Sequence, residues 1–358
     1  MAEMSAGTGG SDSGALAGQP TKTTNYDKTL VALVMATIEE NARRALKWLT
    51  PGDFRSGTLI PGTNLIRYTA YGDLPVNADL SAYDVTTEGT PLTPQAFSIG
   101  YDEFAAKQKM ATIRLTDVSM DMSPHELMGI AAERAAFNAM AVMDMVAANV
   151  VAPIADDVDG TPALAANIKC SEGVANETLI TATGVLNGDE VKRAVAFLKG
   201  TEIQPYADGF YRAKVHPNAT FDLMSDTSVG GWIEASKYAA STQLLDGEIG
   251  RYAGVRFVET TVNTWRKNNG GVGTALPIYQ TVFHGPDFFA WGDLQSTRAY
   301  LVRPGGDHSD PAAQSALVSW KGMWGAKVLS NLVAYTGHKH LRLLHSGVLT
   351  GAIPVNRG

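Results

Sequence analysis

The chain has 358 residues, of which 45% are hydrophobic and 18% charged, a balance typical of a globular protein with a substantial core. Its net charge of −7 at pH 7 argues against a protein whose main task is to wrap nucleic acid or to bind an anionic membrane. The single cysteine, Cys170, excludes an intrachain disulfide. The first twenty residues lack the basic start and apolar run of a signal peptide, and no apolar run reaches transmembrane length. We therefore expect a soluble protein of a reducing, intracellular compartment.

The N-terminal region combines a low-complexity segment with one predicted helix. Residues 1–24 are rich in Gly and Ser and hold too little apolar area to order themselves, so we expect neighbouring subunits to order them. Residues 27–49 are predicted to be a helix that stops at Pro51 and Gly52. Its apolar positions recur at helical spacing: Leu30, Val31, Val34, Ile38, Ala42 and Leu46.

The next region has strand-like stretches at residues 64–71, 96–104 and 110–115. Between the first two lies a long run punctuated by glycine and proline, with little continuous apolar sequence. A stretch of this length without a core of its own is expected to extend away from the body of the domain.

The clearest single element is a long helix predicted over residues 123–152. Ser123 and Glu126 form a capping box with Pro124 at the first helical position, and Pro153 ends the pattern. The helix would be roughly 43 Å long. One stripe holds Leu127, Ile130, Arg134, Phe137, Ala141 and Met145, and another holds Met128, Ala132, Ala136, Ala139, Met143, Val146 and Val150. We interpret the methionines of this helix as core side chains.

The remainder reads as α+β after an irregular segment at residues 156–184. Asn187 and Glu190 cap a helix that ends at Gly200, and His216 with Pro217 starts a short one. Further helices are predicted over residues 231–240 and from Pro286, and a glycine-rich turn over residues 247–254. The predicted strands are residues 210–215, 255–261, 278–284, 299–303, 317–320 and 328–335. Trp320 and Trp324 in the late strands are expected to be core or subunit contacts.

The strongest enzyme-like signal is His338 and His340, with His345 nearby. On a strand the first two would share a face and could bind zinc, but no cysteine or clear carboxylate joins them in sequence. A polar strand end or an interface is the alternative.

Other candidate sites are weaker. Residues 247–254 lack the glycine spacing of a dinucleotide site and the lysine of a phosphate loop, and residues 270–273 read as a loop tip. Asp156, Asp157 and Asp159 form either a solvated turn or part of an ion site. Cys170 has no base near it in sequence. We predict no catalytic, cofactor-binding or metal-binding residue.

Three stretches carry a resemblance to a known family: residues 87–91 (TEGTP), residues 111–117 (ATIRLTD), and residues 244–259 (LLDGEIGRYAGVRFVE). His216 and Pro217 upstream of the third stretch fit the same pattern. Over roughly residues 57–335 the chain resembles major capsid proteins of tailed phages with the HK97 fold, and most closely the N4-like major capsid protein family.

The resemblance implies an α+β, HK97-like capsid fold with a defined layout. It comprises an N-terminal arm with a helix (1–56), an extended β-hairpin loop (57–110), and a peripheral domain (111–184) built on a long spine helix at 123–152. An axial domain (185–295) follows, and residues 296–358 supply peripheral-domain strands and a C-terminal tail. No lysine occurs from Thr58 to Gly100, so we do not expect isopeptide cross-links through the loop.

The function that this resemblance implies is self-assembly, as hexamers and pentamers, into an icosahedral shell around a double-stranded DNA phage genome. The shell would form in the host cytoplasm, become the virion capsid, and enclose DNA without sequence-specific contacts or a membrane. Portal, scaffold and cement or decoration proteins are the implied partners. Two alternatives stay open: an encapsulin-like compartment with a protein cargo, and a histidine-dependent metal enzyme.

Overall fold

The computed structural model describes residues 46–71, 99–123, 126–153, 167–226, 248–270, 276–304, 312–329 and 339–347. The helices in these ranges are α1 Asp117–Met122, α2 Leu127–Val151, α3 Gly188–Gly200 and α4 Pro217–Met224. The strands are β1 Phe54–Ser56, β2 Thr58–Leu59, β3 Leu65–Tyr71, β4 Ile99–Ala105, β5 Lys107–Thr116, β6 Ile168–Cys170, β7 Tyr211–Val215, β8 Glu248–Tyr252, β9 Val255–Glu259, β10 Trp265–Gly270, β11 Leu276–His284, β12 Phe289–Val302, β13 Ser315–Val328 and β14 His340–Ser346. Helices and sheets are mixed in the α+β manner predicted. Across these described ranges, no helix combines the length and hydrophobicity needed to cross a bilayer.

The chain divides into two compact units, of which the first comprises residues 1–46, 107–143 and 295–324. In its described part, β5 pairs with β13 in an antiparallel ribbon, and β13 also lies next to β12. Trp320 and Trp324 on β13 are buried and stack with their ring centroids 5.7 Å apart. The Trp320 indole N–H donates to Asn138 Oδ1 at 3.0 Å. These two tryptophans are therefore core residues of this unit.

One long helix, α2, occupies the region of the predicted long helix, and a separate short helix, α1, precedes it. The short helix α1 begins where Thr116 Oγ1 accepts a hydrogen bond from the Ser119 amide, and it ends at Ser123, whose backbone is extended. The long helix α2 then begins at Leu127, four residues later than predicted, and ends one residue earlier. One side of α2 is buried through small side chains, namely Ala131, Ala132, Ala135, Ala136 and Ala139. The opposite side leaves Ile130 and Phe137 exposed.

The second unit comprises residues 47–106, 144–294 and 325–358. Its main sheet has the order β6-β14-β11-β7-β9-β8, with β10 also paired to β11. The pairs β7–β9 and β6–β14 are parallel, and β8–β9, β7–β11, β10–β11 and β11–β14 are antiparallel. The amphipathic helix α3 packs on this sheet. The main buried cluster includes Val191, Ala194, Leu198, Ala213, Val215, Phe257, Phe283 and Leu341.

A smaller sheet of the second unit, which we call the hairpin sheet, has the order β2-β3-β4. Its two long strands pair antiparallel, from Leu65 opposite Ala105 to Tyr71 opposite Ile99. Ile66 is buried at the root of this sheet against two glycines, Gly57 and Gly292. A Cβ atom on Gly292 would lie 2.6 Å from Ile66 Cδ1, so the close approach requires glycine there.

Several local predictions are confirmed. The strands predicted at residues 64–71 and 110–115 correspond to β3 and β5, and the described part of the strand predicted at 96–104 corresponds to β4, since residues 96–98 lie outside the described residues. Asn187 Oδ1 accepts from the Glu190 amide at the start of α3, at 2.9 Å. His216 caps α4, because its Nδ1 accepts from the Asn218 amide at 3.1 Å.

Other local predictions are wrong. No helix follows Pro286; a turn at Asp287, with φ of 52°, leads into the long strand β12. In the predicted turn, the described residues 248–252 form strand β8, and the turn is confined to Ala253 and Gly254. Residues 46–49 are not helical. The predicted helices at 27–45 and 231–240, the strand at 330–335 and the acidic run at 156–159 lie outside the described residues.

Candidate functional site

The predicted histidine site lies partly on β14, the strand that spans His340–Ser346. His338 is outside the described residues, and His340 and His345 point to opposite faces of the sheet because they are five residues apart. His340 Nε2 lies 3.1 Å from Asn167 Nδ2. His345 Nε2 lies 2.9 Å from Thr281 Oγ1, and its Nδ1 lies 2.9 Å from the Ser346 carbonyl oxygen. Both rings are buried members of the sheet's hydrogen-bond network.

The electrostatic state of the buried histidines follows from their surroundings. Burial lowers the pKa of His345 and of His284 to about 4, and that of His216 to about 4 as well. These rings are therefore neutral at pH 7. Among the described residues, no group of three or more His, Cys, Asp or Glu side chains is arranged to hold a metal ion.

A buried charge cluster in the second unit was not predicted from the sequence. We call it the Asp53 cluster, and its members are Asp53, Tyr206, Arg212, Lys214 and His284. Asp53 Oδ1 accepts hydrogen bonds from the Tyr206 hydroxyl at 2.6 Å and from Arg212 Nη1 at 2.9 Å. Lys214 Nζ lies 3.0 Å from Asp53 Oδ2, and Tyr206 Oη lies 3.1 Å from His284 Nδ1. A carboxylate, two cations and two polar rings thus meet in the protein interior.

The charges of the Asp53 cluster stabilise one another. Burial alone would raise the pKa of Asp53, but the positive charge of Lys214 and the Tyr206 hydrogen bond outweigh it, so this pKa lies below its ordinary value. Burial and the neighbouring Asp53 carboxylate raise the pKa of Tyr206, which keeps its proton and donates it. The guanidinium of Arg212 also stacks 4.0 Å from the centre of the Tyr206 ring.

The Asp53 cluster has the residue types of a catalytic site, but its innermost side chains are not accessible to solvent. Asp53, Lys214 and His284 are at most 1% exposed, so no substrate can reach them. The cluster instead fixes the segment that leads into β1: Lys214 Nζ also donates to the Lys47 carbonyl at 2.6 Å. We interpret it as a structural clamp.

A second buried carboxylate holds the same segment from helix α2. The Trp48 amide donates to Asp144 Oδ1 at 2.7 Å, and the Trp48 indole donates to the Val262 carbonyl at 3.1 Å. Burial raises the pKa of Asp144 to about 6, although three backbone amides and Lys214 act in the opposite direction. Residues 47–53 are therefore anchored by Asp144 at one end and by Asp53 at the other.

The hairpin sheet exposes one face that combines charge and large apolar groups. This outward face carries Arg67, Ile99, Tyr101 and Glu103, with Ile99 60% and Tyr101 57% exposed. Arg67 forms an ion pair with Glu103 and lies 4.5 Å from the centre of the Tyr101 ring. Exposed aromatic and aliphatic groups beside arginine are typical of protein-binding surfaces.

The described part of the first unit exposes further large apolar side chains. Met122 is 80% exposed at the end of α1. Others that are largely exposed are Met110, Val118, Ile130, Phe137 and Tyr300. Such residues are ordinary when scattered singly, but this many large ones suggest contact with another surface.

The remaining sequence candidates have structural roles where they are described. The glycine-rich residues of β8 pair with β9, so their backbone is already used in the sheet. Gly254 has a φ of 83° and makes the turn between these strands. Gly270 ends β10, and residues 271–273 are outside the described ranges. Cys170 is buried in a cluster with Ile168, Ile180, Ile278 and Leu344.

Comparison with known proteins gives a result for structure only: no family model matches the sequence, and no curated protein does. The capsid of Ralstonia phage GP4 matches with a TM-score of 0.62 at 12% identity, over 85% of this chain and 87% of that one. A chain of the cyanophage Pam1 capsid matches with a TM-score of 0.63 at 14% identity, over 85% and 93%. The capsid of cyanophage P-SCSP1u matches with a TM-score of 0.57 at 14% identity, over 84% and 88%. The chain thus has the α+β, HK97-like fold of phage capsid structures.

Proposed function

We propose that the protein is the major capsid protein of a tailed bacteriophage, and that its copies assemble into an icosahedral shell around double-stranded DNA. The observation that carries this proposal is the fold, shared with three phage capsid structures over 84–85% of this chain. The match also extends over 87–93% of those chains, so nearly the whole subunit architecture is common to them.

The surfaces of the chain support an assembly function. Both the hairpin sheet and the first unit expose large apolar groups such as Tyr101 and Phe137. In a shell, each subunit contacts several others, so contacts that are weak one by one hold the closed particle together. We propose that the outward face of the hairpin sheet contacts a neighbouring subunit.

We assign the parts of the chain as the resemblance implies. Residues 1–56 form the N-terminal arm and 57–110 the extended loop. The resemblance assigns residues 111–184 to the peripheral domain around α2, 185–295 to the axial domain, and 296–358 to peripheral-domain strands and a C-terminal tail. Strands β6 and β14 nevertheless pair in the main sheet with β11 of the 185–295 range. Membership of the N4-like family rests on the sequence stretches at residues 87–91, 111–117 and 244–259.

The proposed role is structural and needs no catalytic group. The only enzyme-like constellation that we find among the described residues, the Asp53 cluster, is inaccessible and serves as a clamp. Hexamers and pentamers of the chain itself are the proposed capsomers. A portal, a scaffold and cement or decoration proteins are the further partners, with assembly in the host cytoplasm.

Electron microscopy tests the proposed function directly. The chain would be expressed in a bacterial cytoplasm, and the rapidly sedimenting fraction would be imaged in negative stain and analysed by mass spectrometry. Closed icosahedral shells made of this chain are the expected result. Small oligomers alone would contradict the proposal, and shells filled with a stoichiometric enzyme would indicate an encapsulin-like compartment instead.

A further inference from the structure

The sheet of the first unit has one face covered by a helix and one face open. In the described part of this unit, β12, β13 and β5 lie side by side. Helix α2 covers one face, where the Trp320 indole donates to Asn138 Oδ1 at 3.0 Å. The Thr297 hydroxyl of β12 contacts the same helix, 3.7 Å from Met143 Sδ. Side chains alternate along a strand, so the neighbours of Trp320 and Thr297 point to the other face.

This other face, which we call the open face, is exposed to solvent. Met110 of β5 is 61% exposed and lies directly opposite Lys321 of β13, and residues paired in this way share a face. Arg114 lies on the same face as Met110, four residues further along β5, and is also exposed. On β12, Arg298 and Tyr300 are exposed and alternate with residues that face α2. The large side chains of the open face include Met110, Arg114, Arg298, Tyr300, Lys321 and Met323.

The strands of this sheet carry basic residues and no carboxylate within the first unit. Residues 107–116, 295–302 and 315–324 contain no Asp or Glu. Their basic residues are Lys107, Lys109, Arg114, Arg298 and Lys321. Among the described residues, none forms an ion pair with Arg114, Arg298 or Lys321. Three positive charges on the open face are therefore left without a counter-charge in the described part of the chain.

The composition of the open face is that of a protein contact. Protein interfaces are enriched in Tyr, Met and Arg and depleted in Asp and Glu, as here with Met110, Tyr300 and Arg298. A nucleic-acid contact is more polar and much more positively charged. The occupant that fits this face is thus a protein surface that offers carboxylates beside apolar groups.

The rest of the chain has the complementary charge. The whole chain has 29 basic and 36 acidic residues, so removing the five basic residues of these strands leaves 24 basic against 36 acidic residues elsewhere. Two open faces would repel each other, whereas an open face and the acidic remainder of a second copy attract. A contact between two different patches of identical chains is heterologous, and such contacts close into rings when the rotation permits.

We propose that the open face of one copy binds a carboxylate-bearing surface of the next copy, in a head-to-tail contact that depends on charge. This inference rests on the proposed function, because a shell subunit meets many copies of itself. It adds the surface used, the charge of its partner and the sensitivity to salt. Salt screens exposed charges, so the contact weakens as the ionic strength rises.

Charge reversal on the open face tests the proposal in the full-length chain. Analytical ultracentrifugation would measure self-association of the unassembled chain at about 50 mM and about 500 mM NaCl, where screening differs strongly. The parent chain should associate at least tenfold more weakly at the higher salt concentration. Arg114→Glu combined with Arg298→Glu should weaken association at least tenfold at the lower salt concentration and remove most of the salt dependence.

A matched control separates the open face from net charge. Lys192→Glu combined with Lys199→Glu changes the net charge equally, at exposed positions of α3. This control should associate as the parent chain does. Urea midpoints would verify folding, and Arg114→Gln combined with Arg298→Gln replaces the reversed variant if that variant does not fold. Equal association of the open-face and control variants would overturn the proposal.

A mixing experiment tests the head-to-tail arrangement. The variant with Arg114→Glu and Arg298→Glu keeps its acidic surface, so it should bind the open face of parent copies without accepting a further copy. Adding it at less than one variant per parent copy should therefore reduce the mean size of parent complexes. Parent complexes of unchanged size would contradict a head-to-tail contact.

Two further measurements distinguish the remaining outcomes. If the parent chain binds a short DNA duplex and the open-face variant does not, the occupant is nucleic acid and the proposal is wrong. Salt-sensitive association through the open face without closed shells would contradict the proposed function alone. Closed shells formed normally by the open-face variant would contradict this inference alone, and a chain that neither associates nor forms shells would contradict both.

Discussion

The two sheets of the second unit differ in how their side chains are used. In the main sheet, every residue of β14 is buried, as is nearly every residue of β11, and even His345 and Gln280 are enclosed. In the hairpin sheet, where burial is described for residues 65–69 and 99–105 of the long strands, the buried residues are Ile66, Asp102 and Phe104, and Ile99 and Tyr101 on the outward face are exposed. The buried side chains of the main sheet therefore contribute most to the stability of the fold, whereas the hairpin sheet leaves side chains exposed for contact with other molecules.

The same kind of ion pair has a different consequence at an exposed and at a buried position. Arg67 and Glu103 pair on the exposed face, where water screens both charges, so the contribution to stability is small. Asp53 and Lys214 pair in the interior, where removal of either charge leaves the other unsolvated. Substitutions in the buried interior and on the outward face of the hairpin sheet should separate effects on folding from effects on assembly.

The largest effect on folding is expected from the aromatic core of the main sheet. Phe283 is fully buried and meets the Phe257 ring edge-on, with centroids 6.3 Å apart. Phe283→Ala should lower the free energy of unfolding of the unassembled chain by about 3–5 kcal/mol, measured by urea denaturation. A loss below 1 kcal/mol would show that this sheet is not the stability core.

The next largest effect on the free energy of unfolding is expected from the Asp53 cluster. Asp53→Asn leaves Lys214 and Arg212 without a counter-charge and should cost about 3 kcal/mol. Glu103→Gln, which removes the exposed counterpart, should cost less than about 1 kcal/mol. Adding Lys214→Met to Asp53→Asn should recover part of the loss. Equal costs for Asp53→Asn and Glu103→Gln would refute the contrast between the buried and the exposed ion pair.

Acid should weaken the main sheet through its neutral histidines. The pKa of His284 and of His345 is lowered from 6.5 to about 4, so below pH 6.5 the unfolded chain takes up protons that the folded chain does not. Stability is thus lost as the pH falls from 6.5 to 4, by up to about 1.4 kcal/mol per pH unit for each ring. Asp144 opposes this loss, because its pKa is raised to about 6 and the folded chain binds that proton first.

Two variants check the direction of these pH effects by denaturation between pH 7 and 4.5. His345→Gln should give a shallower decline than the parent chain, since one proton uptake by the unfolded state disappears. Asp144→Asn should give a steeper decline. A reversed order of the three slopes would contradict the assignment of these protonation states.

A smaller effect is expected at the root of the hairpin sheet. Gly292→Ala places a methyl group 2.6 Å from Ile66 Cδ1, so either the hairpin or the strand must shift, at a cost of about 1–3 kcal/mol. Gly200→Ala is the control, because nothing lies within 4 Å of an added Cβ at the end of α3. Comparable costs for both variants would show that the root is not tightly packed.

The sequence predicted elements whose signals are local. Asn187 and His216 cap helices through their own side chains, and the small residues of α2 recur at helical spacing. The sequence-based predictions were wrong where tertiary contacts determine the secondary structure. Residues 289–302 form a strand because β12 pairs with β1 and lies next to β13, and no local pattern shows those partners. The members of the Asp53 cluster, at residues 53, 206, 212, 214 and 284, are far apart in the sequence. They become neighbours only in the folded chain, so no local sequence pattern predicts the cluster.

The smallest effect on folding, but a large one on assembly, is expected at the outward face of the hairpin sheet. Tyr101→Ala combined with Ile99→Ser should change the free energy of unfolding by less than about 0.5 kcal/mol per site, because both side chains are mostly exposed. The yield of closed particles in sedimentation should nevertheless fall several-fold. Unchanged particle yield would mean that this face is not a subunit contact.

The most direct measurement of the central claim is a cryo-electron microscopy reconstruction of particles formed by the purified chain. We predict a closed icosahedral shell in which the outward face of the hairpin sheet, including Tyr101, lies against a neighbouring copy. A closed shell that leaves this face in solvent, or particles without icosahedral symmetry, would contradict the account.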